Sequence, residues 1–277
     1  MRRSIAVVCT CVIIAGPACL AYAGASAFSL KPQDKRPWRY AIGAEISHIT
    51  YSERQVMREE GIMYGISQSL TYRRGLMLEL NGRFSFGDVD YESTESGLLD
   101  KIGDTMVEVR FLGGYDFLTS KNVTLTPYIG IGYRYLNDNS NGMVTNTGAS
   151  GYERESNYVY SPIGMDVAVP LNSGVSLGFT GEYDQFWRGM QRSHLSDVHD
   201  AFQDIENTQR EGNGWRASAR IAKETHAVDL SVETFIRWWN ISESDTSDLF
   251  FANVLVGYGY EPSNKSVEYG VKLAGRY

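Results

Sequence analysis

The sequence predicts an all-β protein, an antiparallel transmembrane β-barrel of ten strands. Three observations predict it. Apolar and polar residues alternate with a period of two through most of the 277 residues. The chain begins like a secretory leader. It ends on an aromatic-terminated strand, Val267 to Tyr277, in which Val267, Tyr269, Val271, Leu273 and Tyr277 share one face with Gly275. Glu268, Lys272 and Arg276 share the other face with Gly270 and Ala274. A single strand of this kind fits any two-faced sheet. Many of them, rich in aromatics and without amphipathic helices to cover them, put the apolar face in lipid and the charged face in a lumen.

The leader is read from Arg2 and Arg3, the apolar run Ile5 to Ile14, and small-residue sites at Ala21-Tyr22-Ala23 and Ala25-Ser26-Ala27. It predicts a signal peptide over 1–27, cut after Ala23 or Ala27, because the apolar run is too short for a membrane helix. Cys9, Cys11 and Cys19 all fall within it, so the mature chain has no disulfide, and Gly16-Pro17-Ala18 is a poor lead-in to a lipid-modified Cys19. The net charge of −7 becomes −9 once Arg2 and Arg3 are removed, which argues against nucleic acid as a partner. No later segment is apolar for the length of a membrane helix. In a secreted chain with this alternation, a closed sheet is the remaining way to span.

Residues 28–37 read as a polar periplasmic lead, and 38–277 as the barrel. Strand one sets Tyr40, Ile42, Ala44 and Ile46 outward against Glu45 and Ser47. Strand two sets out Ile62, Tyr64, Ile66 and Leu70 and turns at Arg73-Arg74-Gly75. Strand three follows with Leu76, Leu78, Leu80, Phe84 and Phe86 opposite Glu79, Asn81, Arg83 and Ser85. Gly87 to Asp104 reads as a polar loop. Strand four carries Val107, Val109, Phe111, Tyr115 and Phe117 against Glu108, Arg110 and Asp116. Strand five carries Leu125, Ile129, Ile131, Tyr133 and Tyr135 against Tyr128 and Arg134.

Asn137 to Ser156 reads as a long loop. Strand six runs to Leu171, and Asn172-Ser173-Gly174 turns it into strand seven, with Val175, Leu177, Phe179 and Tyr183 against Thr180, Glu182 and Asp184. After a loop from Gly189 to Gly212 come strand eight (Trp215 to Ile221), strand nine (Val228, Leu230, Val232, Ile236 and Trp238 outward) and the last strand. Residues 250–260 also alternate. An eleventh strand would break the even count of single-chain bacterial barrels, so this segment is assigned to a tall fifth outer loop, with twelve strands the alternative. Short periplasmic turns and long extracellular loops give the address: the bacterial outer membrane.

Inward positions carry both signs, Glu45, Glu79, Glu108, Glu182, Asp184, Asp229, Glu233 and Glu268 against Arg83, Arg110, Arg134, Arg216, Arg220, Arg237, Lys272 and Arg276. That near-balance predicts interlocked ion pairs and a closed lumen, a small diffusion pore being the alternative. Tyr40, Tyr72, Trp187, Trp215, Trp238 and Trp239 are assigned to interfacial girdles. Arg154, Arg188 and Arg192 are candidates for lipopolysaccharide phosphates at the rim. The aromatic C-terminus suits recognition by the barrel-assembly machinery. No cofactor pattern is found.

One constellation could carry chemistry. Asp88-Val89-Asp90-Tyr91 opens the loop after strand three, and the loop after strand seven holds His194, Asp197, His199, Asp200 and Asp204. Across the mouth of a narrow barrel, two carboxylates could face an Asp-His pair and activate a water. This resembles the omptins, outer-membrane endoproteases built as ten-stranded barrels, with an Asp-x-Asp motif in the second outer loop and Asp-x-His in the fourth. The resemblance implies His199 as general base, Asp197 as its partner, and Asp88 and Asp90 as water-positioning groups. Leu195 stands where omptins that cut after basic residues have an acidic residue. Two further readings are a calcium-type site from His194, Asp197, His199, Asp200 and Asp204, and a non-catalytic surface barrel whose loops bind, adhere or support structure.

Overall fold

The structure, a computed structural model, describes residues 28–30, 37–54, 56–119 and 121–277. The expected signal peptide, its three cysteines and most of the 28–37 lead lie outside the described residues. Phe28–Leu30 belongs to that lead and pairs antiparallel with Phe117–Thr119.

Ten antiparallel strands close into a barrel: β1 (Trp38–Glu53), β2 (Met57–Arg74), β3 (Leu76–Ser93), β4 (Gly97–Tyr115), β5 (Thr124–Asn139), β6 (Glu153–Pro170), β7 (Val175–Ser193), β8 (Gly212–Lys223), β9 (Asp229–Ile241) and β10 (Asn264–Arg276). Each pairs with its neighbour in sequence, and β10 pairs with β1, Val271 opposite Ile46, which removes every free edge of the ring. The residues 250–260 stay out of the ring. They form a separate hairpin, Thr246–Phe251 with Val254–Tyr260, as the even count requires.

Alternation decides which side chains face where. Ile46, Ile66, Leu80, Phe111, Ile131 and Leu273 are exposed on the outer face, while Glu45, Arg83, Glu108, Arg134, Glu182 and Glu268 are buried on the inner one. An outward belt of this composition is stable only against hydrocarbon. Trp238 and Trp239 correct the girdle assignment. Consecutive strand residues point to opposite faces, so Trp238 is outside while Trp239, 3% exposed, packs in the lumen with Tyr158, Tyr160, Phe186 and Ile241.

The strands are unequal. β1 to β7 run 16–19 residues, against 12 or 13 for β8 to β10. Some ~9–11 tilted residues suffice to cross a bilayer. The first seven strands therefore overshoot at the end that carries the long connections, and much of the sequence expected to be loop is wall. Gly87 to Asp104 is a hairpin continuing β3 and β4, because Val89 and Ile102 keep the inward alternation and pair across it. Over β8 to β10 the wall is completed instead by Ile205–Gln209, folded back onto β7, and by the 246–260 hairpin. Asn207 helps fasten the two: its Nδ2, with two protons to give, has Asp245 O, Ser247 Oγ and Gly259 O as acceptors at 3.0–3.1 Å.

Across the middle of the lumen the charges interlock. Arg216 of β8 reaches the opposite wall to Glu108 of β4 at 2.5 Å and pairs with Asp184 at 2.7 Å. Arg83 bonds Glu268 at 2.7 Å, Arg237 joins Glu45 and Glu268 at 3.1 and 3.2 Å, and Arg110 pairs with Glu182. Tyr160 donates to Glu108 and Tyr128 to Glu182, both at 2.7 Å. Arg134 lies over the Tyr158 and Trp239 rings instead.

Candidate functional site

The long-loop end of the barrel is where chemistry-bearing residues gather. Asp88 and Asp90 are both exposed on β3, flanking Val89, which is 1% exposed and faces the lumen. By alternation the two carboxylates stand on the outer face, in line with Phe84 and Phe86. Asp90 Oδ1 accepts a hydrogen bond from Lys101 N at 3.0 Å, where β3 and β4 slip register. Asp197 ends a short turn, Leu195–Asp197, and its Oδ2 accepts from Glu153 N at 3.0 Å. His199 Nδ1 accepts from Ala201 N at 3.0 Å, and its ring packs 5.3 Å from that of Phe251.

None of these four residues hydrogen-bonds another. Because His199 Nδ1 accepts a backbone proton, it is not donating to Asp197 as an oriented general base would.

The rim arginines also divide. Arg188 is exposed on β7, and Arg192 is exposed and pairs with Asp204 at 3.4 Å. Arg154 stands apart from the other two. It shares the inward parity of Ser156 and Tyr158, and its guanidinium is held inside by Glu53, Glu59 and Asp138 at 3.1, 2.9 and 2.6 Å.

Two groups of residues could hold a ligand. On the outer wall, Glu153, Glu155 and His194 offer atoms that all lie within 4.8 Å of one another. His194 Nε2 is 3.1 Å from Glu155 and its Nδ1 is 3.2 Å from Asp204, so each ring nitrogen meets a carboxylate. Burial works against the Asp204 charge, but hydrogen bonds from Ser196 Oγ and N, with His194 and Arg192 beside it, hold Asp204 below its ordinary range. Of the five residues read as possible calcium ligands, only His194 belongs to this group.

The second group lies inside, above the ionic layer. Glu53, Glu59, Asp104, Asp138 and Glu261 are all buried near Arg154, and all but Glu53 line a cavity of about 20 Å³ with Tyr51, Gln191 and Ser266. Tyr51 Oη is 3.2 Å from Glu53 and 3.0 Å from Glu261. One hydroxyl has one proton to give, so the second contact needs a protonated carboxyl. Burial, then the charge of Glu53, pushes Glu261 up to about 7, which supplies it.

The sequence reading missed this chamber because it ended strands four and five at the first polar residues. The signal was present. Asp104 has the parity of Glu108, and Asp138 that of Arg134, so extending the alternation by three residues beyond Val107 and Tyr135 puts both inside.

The sequence matches no protein-family profile and no curated relative. Among solved structures, the outer-membrane protease OmpT of Escherichia coli is similar at a TM-score of 0.61 and 10% identity, over 90% of this chain and 99% of that one. The β domain of the Bordetella autotransporter BrkA matches at a TM-score of 0.38 and 9% identity, over 86% of this chain and 98% of that one. The toluene transporter TodX of Pseudomonas putida matches at 0.35 and 8%, over 87% and 90%. At such identities likeness speaks to fold alone. The closed ring of ten strands and its apolar outer belt make this chain a barrel of the bacterial outer-membrane type, similar in architecture to the omptin OmpT.

Proposed function

We propose that this protein is a non-conducting, non-catalytic barrel of the outer membrane, exported by the 1–27 leader, whose long loops face outward and form a binding surface. The observation that carries the reading is the Arg216–Glu108 link from one wall to the other, inside a network that also engages β1, β3, β7, β9 and β10. A lumen crossed in this way supports the closed reading, because charged side chains fill space that a water path would need. The working surface is then the loop end, where the 246–260 hairpin displays Val254, Val256, Tyr258 and Tyr260. Lipopolysaccharide is the expected neighbour of the rim, with Arg188 and Arg192 as its phosphate contacts. Tyr277 as a terminal aromatic supports insertion by the barrel-assembly machinery.

The second reading, an omptin-like endopeptidase using Asp88, Asp90, Asp197 and His199, draws on the shared architecture and the two loop motifs. One experiment separates them. Refolded protein with lipopolysaccharide is incubated with a mixed-sequence fluorogenic peptide library, beside His199→Ala. No cleavage by folded wild type is the expected result. Cleavage that disappears in His199→Ala would replace the proposal with the endopeptidase.

A further inference from the structure

We propose that the acidic chamber inside the long-loop end binds one oxygen-preferring divalent cation, calcium being the best fit, between Asp104 and Asp138. The two aspartates are direct cross-strand partners on β4 and β5, both facing inward and each 6% exposed. Directly opposed residues have Cβ atoms only ~4.5–5.5 Å apart, where two like charges repel. Glu59 stands beside them, sharing Arg154 Nη2 with Asp138. Arg154 is the one cation paired with these carboxylates among the described residues, and it also serves Glu53.

Two ways exist to neutralise the rest: protons or a cation. A proton held between Asp104 and Asp138 would leave at least one of their oxygens in a hydrogen bond with the other. Instead, among the described residues, Oδ1 of Asp104 and Oδ1 of Asp138 are both buried without any hydrogen-bond partner, and Asp104 forms no ion pair. Buried carboxylate oxygens left bare are costly. Both residues line the same cavity of about 20 Å³, room for a single ion or water. Besides the Arg154 guanidinium, which is already matched by Glu53, Glu59 and Asp138, the lining among the described residues has carboxylates, a carboxamide and hydroxyls but no imidazole or thiol, a donor set for a hard cation and against zinc. The inference goes beyond the proposed function, since it concerns the interior and holds whether or not the loops bind a partner.

The test uses full mature protein refolded in detergent without lipopolysaccharide, itself a calcium binder, and freed of metal by chelation. Calcium is titrated by calorimetry, and terbium by luminescence excited through tyrosine, Tyr51 being at the cavity. The variants are Asp104→Asn with Asp138→Asn, and Glu153→Gln with Glu155→Gln on the outer wall, each first checked for the compact, heat-modifiable migration of a folded barrel. The expected result is a single site weakened ~10–100-fold or more by the Asp104/Asp138 pair and unchanged by the Glu153/Glu155 pair. Asp104→Asn alone carries the test should the double variant not fold. Absence of binding to wild type, or affinity that survives loss of Asp104, or affinity lost only with Glu153 and Glu155, would overturn the proposal.

Discussion

Tyr160 shows how much one residue can be made to hold. It is 0% exposed, its ring covers Gly132 on the neighbouring strand, and its hydroxyl donates to Glu108 while accepting from Arg216 at 3.0 Å. A Cβ on Gly132 would fall within the ring, so no other residue leaves Tyr160 where it is. Gly132→Ala is therefore expected to cost ~1–3 kcal/mol by overpacking, read as a lower urea midpoint for unfolding in detergent with an unchanged slope. Arg216→Met should cost more, ~3–5 kcal/mol, because it leaves Asp184 as a buried charge without its ion pair and Glu108 with only Arg83, at 3.6 Å. Adding Glu108→Gln should recover part of that loss. A double variant no better than the single one would mean that the pair, and not the orphaned carboxylate, carries the stability. The inward parity of these residues was legible in the sequence. Their partners were not, because parity assigns a face and leaves the distance across the lumen open.

At the scale of elements, the sequence was read well where strands sit in lipid and poorly where they leave it. Inside the bilayer every outward position must be apolar, so alternation is sharp from Leu76 to Phe86. Above it both faces tolerate polar groups. Asp88 and Asp90 then read as loop, although Val89 and Ile102 continue the pairing. The same blurring hid Ile205–Gln209 and the start of the hairpin at Thr246, whereas the alternation of 250–260 was legible. Asn207→Ala removes the side-chain contacts of Asn207 with the hairpin, leaving those of Thr208 and Glu206, and should speed hydrogen exchange across 242–263 while leaving that of β1 to β5 unchanged. Glu261 adds a pH dependence. An unfolded glutamate ionises near ~4.3, whereas the folded chain holds the Glu261 proton up to about 7. The contribution is thus complete at acidic pH and lost as pH rises through about 7, when a second charge faces Glu53. Hydrogen exchange of the hairpin should accelerate from pH 6 to about 8 beyond its intrinsic rise, and Glu261→Gln should abolish that excess. An excess that persists in the variant would assign the effect to another group.

For the whole molecule, the decisive property is what the lumen does with its charge. A ten-stranded ring is narrow enough for opposite walls to touch through side chains, as Arg216 and Glu108 do. Surface ion pairs would yield to salt. These are nearly inaccessible to solvent and share hydrogen bonds, so ions in the bath screen them little. The protein should therefore stay electrically silent in planar bilayers from about 0.1 to about 1 M KCl, and silence limited to low salt would show a lumen gated by screening rather than filled. Arg83→Ser with Arg216→Ser removes two links of the plug and leaves Glu45, Glu108, Glu182, Asp184 and Glu268 behind. Any current through that variant should be carried by cations, since the lining would be net acidic. Anion-selective steps, or steps already present in wild type, would mean that the path runs elsewhere and that the interlocked residues serve stability alone.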